Sequence, residues 1–315
     1  MIVYFLPISL YLLLSTLPAC AETVETSCPS TKVVVYQNQN PTNFDFKEWN
    51  KNCGNPRDYI YSLDNMVSAL KNSNVVYLGE THNSKEDHEK QITIIQELYK
   101  QNHKIAIAME MFQHPYQKII NQYLAGKLSE AELIEKSEYE KRWGFPWENY
   151  APILRFAKYK KLPVIALNTP SEITHKVARE GLESLTPSER KLIPPLTEIR
   201  TDNEKYRQRL QAIFQQHQSA GHGNSTDADR FFQAQVVWDE TMADRIAKFV
   251  KANPNYQVVV LAGQGHIVYG HGIPSRVTRR INDKTFSQRS ILLSPPDETH
   301  SNNSTAIADF IFARE

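Results

Sequence analysis

The sequence predicts an α/β protein with a mostly parallel central sheet flanked by helices and a helical insertion or cap. Three observations carry that expectation. Apolar, β-branched runs at residues 74–78, 104–109, 163–167 and 257–262 have the length of buried strands. Helical patterns lie between them, as parallel strands require, because a parallel pair needs a long crossover connection. Each run ends in a polar residue: Glu80 and His82 after the first, Glu110 after the second, Asn168 after the third and His266 after the fourth. In open sheets of this kind, ligands bind beyond the carboxyl ends of the strands. The pattern therefore gathers these five residues at one edge.

The elements follow in order. After His82, Ser84-Lys-Glu-Asp87 reads as a capping-box-like helix start, and His88, Ile92, Ile95 and Tyr99 repeat at helical spacing. Residues 115–140 read as helical, and 150–160 as a helix leading into the third strand. From about 181 to 253 the rhythm breaks into the insertion. There Thr186-Pro-Ser-Glu189 has the form of a capping box with proline at the first helical position. Helical patterns at 203–217 and 228–252 flank a Gly- and Ser-rich loop, 218–225, with His217 and His222 beside it. That loop reads equally as a lid over the crevice or as a plain solvent connection. Strands return at 257–262 and 290–293.

Composition narrows the function classes. The chain has 315 residues with 36 Lys+Arg against 35 Asp+Glu, a net charge of +1. No basic face announces a nucleic-acid partner. The first residues are almost wholly apolar and end in Leu17-Pro18-Ala19-Cys20-Ala21, which predicts a signal peptide over 1–21, cut either before Cys20 with lipidation or at an ordinary A-x-A site. The mature protein is then exported, periplasmic or anchored to the outer membrane, and meets the membrane only through a lipid. Residues 22–59 read as an N-terminal extension with one strand-like run at 33–36, and 60–315 as the main α/β domain. Without Cys20, Cys28 and Cys53 remain as an even pair, which an exported protein would join in a disulfide.

Glu80 and His82 stand in Gly79-Glu80-Thr81-His82, where a carboxylate and an imidazole two residues apart can share a metal or a proton; the bland alternative is a helix-entry turn. Glu110 is a carboxylate inside an apolar run, costly to bury unless paired or metal-bound. His266 sits in a glycine turn. Together Glu80, His82, Glu110 and His266 form a candidate catalytic or divalent-metal set for a hydrolase. His88 reads as a core histidine. Asp239 and Glu240 read as reaching the site or facing solvent, and the cluster Trp143-Gly-Phe-Pro-Trp147…Tyr150 as core or as the wall of a flat ligand site. The serine-elbow, P-loop, His-Glu-x-x-His and dinucleotide-binding signatures are absent.

Five ordered stretches, Val75-Val-Tyr-Leu-Gly-Glu-Thr-His82, Ala108-Met-Glu-Met-Phe112, Val164-Ile-Ala-Leu-Asn168, Asp239-Glu-Thr-Met-Ala243 and Ala262-Gly-Gln-Gly-His-Ile-Val-Tyr-Gly270, resemble the ChaN-like haem-binding lipoproteins. The superfamily is similar to erythromycin esterases and Tiki-type metalloproteases, whose Gly-x-x-His spacing recurs at Gly79…His82 and Gly263…His266. The resemblance implies an exported protein of haem or iron acquisition, with haem as cofactor and ligand. It also implies iron ligation by a tyrosine and haem pairing across a homodimer. Tyr269 and Tyr206 are the candidate ligands, with His217 and Asn168 as further haem contacts.

Overall fold

In the computed structural model the described residues are 34–36, 60–219, 227–294 and 307–312. The expected signal segment, Cys28, Cys53 and the loop at 220–226 with His222 lie outside them, as does the side chain of His217. No helix among the described residues is long and apolar enough to cross a membrane.

One parallel sheet organises the domain. Its strands are β1 (Val34–Tyr36), β2 (Ile60–Ser62), β3 (Val75–Glu80), β4 (Ile105–Gln113), β5 (Val164–Asn168), β6 (Gln257–Gly263), β7 (Gln288–Leu292) and β8 (Phe310–Phe312). Their spatial order is β2-β1-β8-β7-β3-β6-β4-β5. The helices are α1 (Leu63–Leu70), α2 (Lys85–Gln101), α3 (Gln117–Leu124), α4 (Glu130–Lys136), α5 (Tyr139–Arg142), α6 (Ala151–Lys160), α7 (Ser171–Glu180), α8 (Glu204–Ser219), α9 (Ala228–Ala252) and α10 (Ile273–Ile281).

Strands β3, β4 and β6 are buried along their whole length, which is why they read as continuous apolar runs rather than alternating ones. Val76, Leu78, Ile107 and Leu261 face a core closed by α1, α2 and α6. Val75, Tyr77, Ala108 and Val260 face the opposite core, closed by Met242, Ala243 and Ile246 of α9 and Val277 of α10. Each of the buried Val, Leu, Ile and Met side chains contributes roughly 1.5–3 kcal/mol by leaving water. The insertion holds a third core, in which Ile173 and Val177 of α7 meet Tyr206, Leu210 and Phe232. Helix α9 joins both, since its first half closes the insertion and its second half covers the sheet.

The sheet ends at β5, and that edge is covered by side chains. Gln117 donates to Val164 O at 2.8 Å and accepts from Ala166 N at 2.8 Å, taking the place of a neighbouring strand. Arg245 donates to Ala166 O at 2.6 Å and to Gln117 Oε1 at 3.3 Å. An exposed edge is a template for another chain, and these contacts occupy it.

Several sequence expectations are corrected. Residues 115–140 are three helices, broken where Gly126 (φ 73°) and Glu138 (φ 51°) take left-handed backbone. The Thr186–Glu189 box forms its reciprocal bonds, with Glu189 accepting from Thr186 N at 2.7 Å. It starts only a 3₁₀ turn, Glu189–Leu192, because Pro194 and Pro195 follow at once. Ser84 caps α2 by accepting from Asp87 N, but the Asp87 carboxylate turns away to accept from Thr81 N at 2.8 Å. The last expected strand lies at 288–292 rather than 290–293.

Candidate functional site

The carboxyl ends of β3, β4 and β6 bring together two carboxylate–imidazole pairs. The first begins at Glu80, the last residue of β3. Glu80 Oε1 lies 2.7 Å from His82 Nδ1 and accepts from Tyr150 Oη at 2.6 Å, while Oε2 accepts from Gln91 Nε2 at 2.5 Å. A carboxylate this buried needs such partners. His82 is the member that reaches solvent, with 12% of its side chain exposed. The rings of Trp143 and Phe145 pack on it at centroid distances of 4.9 and 5.0 Å. The turn is held from behind by Asp87 and by His88, whose Nε2 lies 3.0 Å from His82 O.

The second pair is His266 with Asp239. Asp239 Oδ1 lies 2.7 Å from His266 Nδ1, and its Oδ2 accepts from Tyr206 Oη at 2.7 Å. On the far side His266 Nε2 faces Glu110 Oε1 at 3.4 Å. Glu110 Oε2 accepts from the Gly263 N–H at 2.7 Å. Glu110 is aimed there by an irregularity in β4: Met109 pairs with Ala166 and Gln113 with Asn168, so four residues of β4 advance against two of β5.

Gly263 joins the two pairs. A Cβ at this position would lie 2.9 Å from His82 Cε1 and Nε2 and 3.7 Å from Glu110 Oε2. Gly272 does the same for His266, where a Cβ would fall 2.2 Å from the His266 carbonyl oxygen. Both glycines are required by close approach rather than by backbone angle.

The charges follow from this packing. Burial pushes the His266 pKa down, but the Glu110 charge and the bonds to Asp239 and Glu110 carry it up to about 10. Burial pushes Glu110 up, and the His266 charge and contact, with His82 and the Gly263 N–H, bring it down to about 2. Burial likewise opposes charge on His82, yet Glu80 and Glu110 move its pKa upward. The site is a set of paired ions in a nearly dry setting.

The structure thus brings Glu80, His82, Glu110 and His266 together, as the strand-end argument expects. The donor atoms are spent largely on one another: both Glu80 oxygens and both His266 nitrogens face partners inside the site. Among the described residues no group of three or more His, Cys, Asp or Glu is placed to hold a metal ion. Asn168 lies at the same edge, with its Oδ1 buried and without a hydrogen-bond partner. Asp239 reaches the site, whereas Glu240 neither reaches it nor faces solvent. Glu240 is buried among Arg276, Arg279 and Arg280, and accepts from Arg200 N. Trp143 and Phe145 wall His82, but Trp147 belongs to the core with Phe112 and Tyr139. Tyr150, read from the sequence as core or ligand wall, instead donates to Glu80, and sequence reasoning missed Gln91 and Gln235, the last of which packs its amide 3.0 Å from His266 Nδ1.

The fold agrees with that of a known protein family. The model of the family described as haem-binding uptake, Tiki superfamily, ChaN matches residues 66–277. The chain belongs to this family. A solved structure of ChaN from Campylobacter jejuni, described as binding haem cofacially, superposes with a TM-score of 0.59 at 17% identity, over 80% of this chain and 91% of that one. At that identity the likeness is one of fold. An erythromycin esterase superposes with a TM-score of 0.43 at 15% identity, over 77% of this chain and 76% of that one. The chain is also 29% identical over 264 residues to the chloroplastic protein RETICULATA-RELATED 5 of Arabidopsis thaliana. It spans 77% of itself but about a third of that relative, 34%.

The two tyrosines differ in how they suit a haem iron. Tyr206 is fully buried, its hydroxyl is donated to Asp239, and burial together with Asp239 pushes its pKa far above the ordinary phenol value. It does not fit as a phenolate ligand in this arrangement. Tyr269 is half-buried, three residues after His266, and held at φ 58°, a left-handed angle rare for an aromatic residue. Its ring lies 5.6 Å from His271, and the charges of Arg209, Lys205 and Arg276 act on that imidazole. A half-buried phenol, next to an imidazole on which these cations act, fits a ferric iron carried by a macrocycle with two carboxylates.

Proposed function

We propose that this chain binds haem at the lip of the crevice, with Tyr269 as the iron ligand and Lys205 and Arg209 facing the propionates. The observation that carries this reading is the family match over residues 66–277. Tyr269 is preferred to Tyr206 because the Tyr206 hydroxyl is fully buried, away from any bound haem, and the Asp239 carboxylate to which it donates disfavours its ionisation to phenolate. The protein acts after export, as a periplasmic or lipid-anchored carrier in haem or iron acquisition, and pairs with a second copy across cofacial haems. Support for export comes from the apolar start and the Ala19-Cys20-Ala21 exit.

The test compares ferric spectra of Tyr269→Phe and Tyr206→Phe with the parent protein. Loss of the phenolate-to-iron charge-transfer band in Tyr269→Phe alone is the expected result. Loss in Tyr206→Phe alone transfers the ligand to α8, and loss in neither removes tyrosine ligation. Light scattering with and without hemin tests the pairing, which predicts a doubled mass only in the loaded sample.

A further inference from the structure

The strand ends opposite the crevice carry charge that neither the crevice nor the haem lip uses. We infer that this amino-end pole of the sheet docks on a membrane surface of anionic phospholipid headgroups, holding the crevice toward the aqueous side. Such docking is independent of haem binding.

Because the strands are parallel, their amino ends all lie at one pole. The turns that lead into them are tied together there. Gln257 Nε2 donates to Leu70 O and Ser73 O, the Gln257 N–H to Lys104 O, the Ser287 N–H to Asn74 Oδ1, and the Ile107 N–H to Pro163 O. On these turns and the helix ends beside them stand Lys71, Lys104, Lys160, Lys161, Lys251 and Lys284, all exposed except the half-buried Lys160. None of them forms an ion pair with a carboxylate among the described residues. The nearby carboxylates are already engaged: Glu97 by Lys100 at 2.6 Å, Asp309 by Arg289 at 3.7 Å, and Asp283 by the Thr285 N–H and hydroxyl. The whole chain carries a net charge of only +1, so this pole concentrates positive charge that the rest of the molecule offsets. Clustered lysines of this kind are drawn to an anionic lipid surface.

Two observations favour a membrane over a nucleic acid. Tyr159, in the last turn of α6, is a large side chain left 77% exposed. The Lys160 Nζ lies 4.8 Å from its ring centroid and 5.2 Å from that of Tyr99. An open phenol ring among ammonium groups suits the headgroup layer, where the ring meets the acyl boundary and the lysines meet phosphates. The second observation is the entry of the chain. Strand β1 is parallel to its neighbours, so the chain reaches it from this same pole. Residues 21–33 alone separate Cys20 from β1, and a chain spans at most about 3.6 Å per residue. The apolar residues 2–17, or a lipid on Cys20, are thereby tethered on the side that carries the lysines. An anchor and a basic patch are the two signals that stable attachment takes. Glu80, His266 and Tyr269 lie beyond the carboxyl ends, so a docked chain keeps the crevice open.

The experiment sediments the full chain with vesicles of phosphatidylcholine, alone or with about 30% phosphatidylglycerol, at low salt and at about 0.5 M NaCl. The neutral vesicles record what the apolar start contributes by itself. Binding at least tenfold tighter to the anionic vesicles, falling to the neutral level in high salt, is expected. The double variant Lys160→Glu, Lys161→Glu should lose that preference. Lys85→Glu, Lys191→Glu makes the same change of net charge beyond the carboxyl ends, at the start of α2 and beside Leu192, whose carbonyl contacts His114, and should keep it. Equal binding to the two kinds of vesicle, or equal losses in the two double variants, overturns the inference. Tighter binding to a single-stranded oligonucleotide than to the anionic vesicles at the same salt also overturns it, in favour of nucleic acid. The salt dependence is read on the parent chain, so a variant that fails to fold leaves the inference open to refutation.

Discussion

Glu110 Oε2 accepts a hydrogen bond from the backbone N–H of Gly263 at 2.7 Å, across 153 positions of sequence. Through this bond the end of β6 fixes the carboxylate that faces His266 and, at the same residue, provides the bare surface on which His82 rests. The two halves of the site are therefore set by one glycine.

Gly263→Ala is expected to displace His82. The new methyl would lie 2.9 Å from the imidazole, closer than real Cβ contacts come, so the ring must leave its position over Glu80. A drop in melting temperature and a shifted His82 imidazole resonance in NMR spectra are the readouts. An unshifted resonance means that His82 does not rest on this glycine.

Tyr206→Phe removes a buried bond and leaves Asp239 with one oxygen short of a partner. A loss of about 1–3 kcal/mol in unfolding free energy is expected from denaturant titration. Hemin affinity should be retained, because Tyr269 is the proposed ligand. A neutral effect on stability would mean that water replaces the hydroxyl.

The buried ion pair sets a window of stability. Glu110 is lowered to about 2 from an ordinary value of 4.5, so its contribution is present above pH 4.5 and is lost as pH falls toward 2. His266 is raised to about 10 from 6.5, so its contribution is complete below pH 6.5 and is lost as pH rises toward 10. Maximum stability from this pair lies between those limits. Glu110→Gln should flatten both limbs of the melting-temperature profile, and an unchanged alkaline limb would show that Glu110 does not hold the His266 charge.

Gln117→Leu uncovers the edge of β5 by removing both bonds that Gln117 makes to Val164 and Ala166. Concentration-dependent aggregation at unchanged secondary structure is expected by light scattering. A monodisperse variant would assign the protection to Arg245 alone.

The strand cores were legible because burial on both faces makes each strand a continuous apolar run, and the first polar residue after each run then marks the sheet edge. Glu80, Glu110, Asn168 and His266 were found in this way. The pairing of Tyr150 and Gln91 with Glu80 was not, since it depends on how α6 and α2 dock and leaves no local pattern. Asp239 and Glu240 are adjacent in sequence yet serve different neighbours, because successive helical positions point about 100° apart. The break of residues 115–140 into three helices turned on left-handed backbone at Gly126 and Glu138, and a glutamate in that conformation has no sequence signature.

The central claim is haem binding at Tyr269, and a hemin titration followed in the Soret region tests it most directly. A saturable band shift at one haem per chain is expected in the parent protein and in His82→Gln, with the band changed and affinity lowered at least tenfold in Tyr269→Phe. A non-saturating spectrum in the parent, or Tyr269→Phe behaving as the parent does, would contradict it.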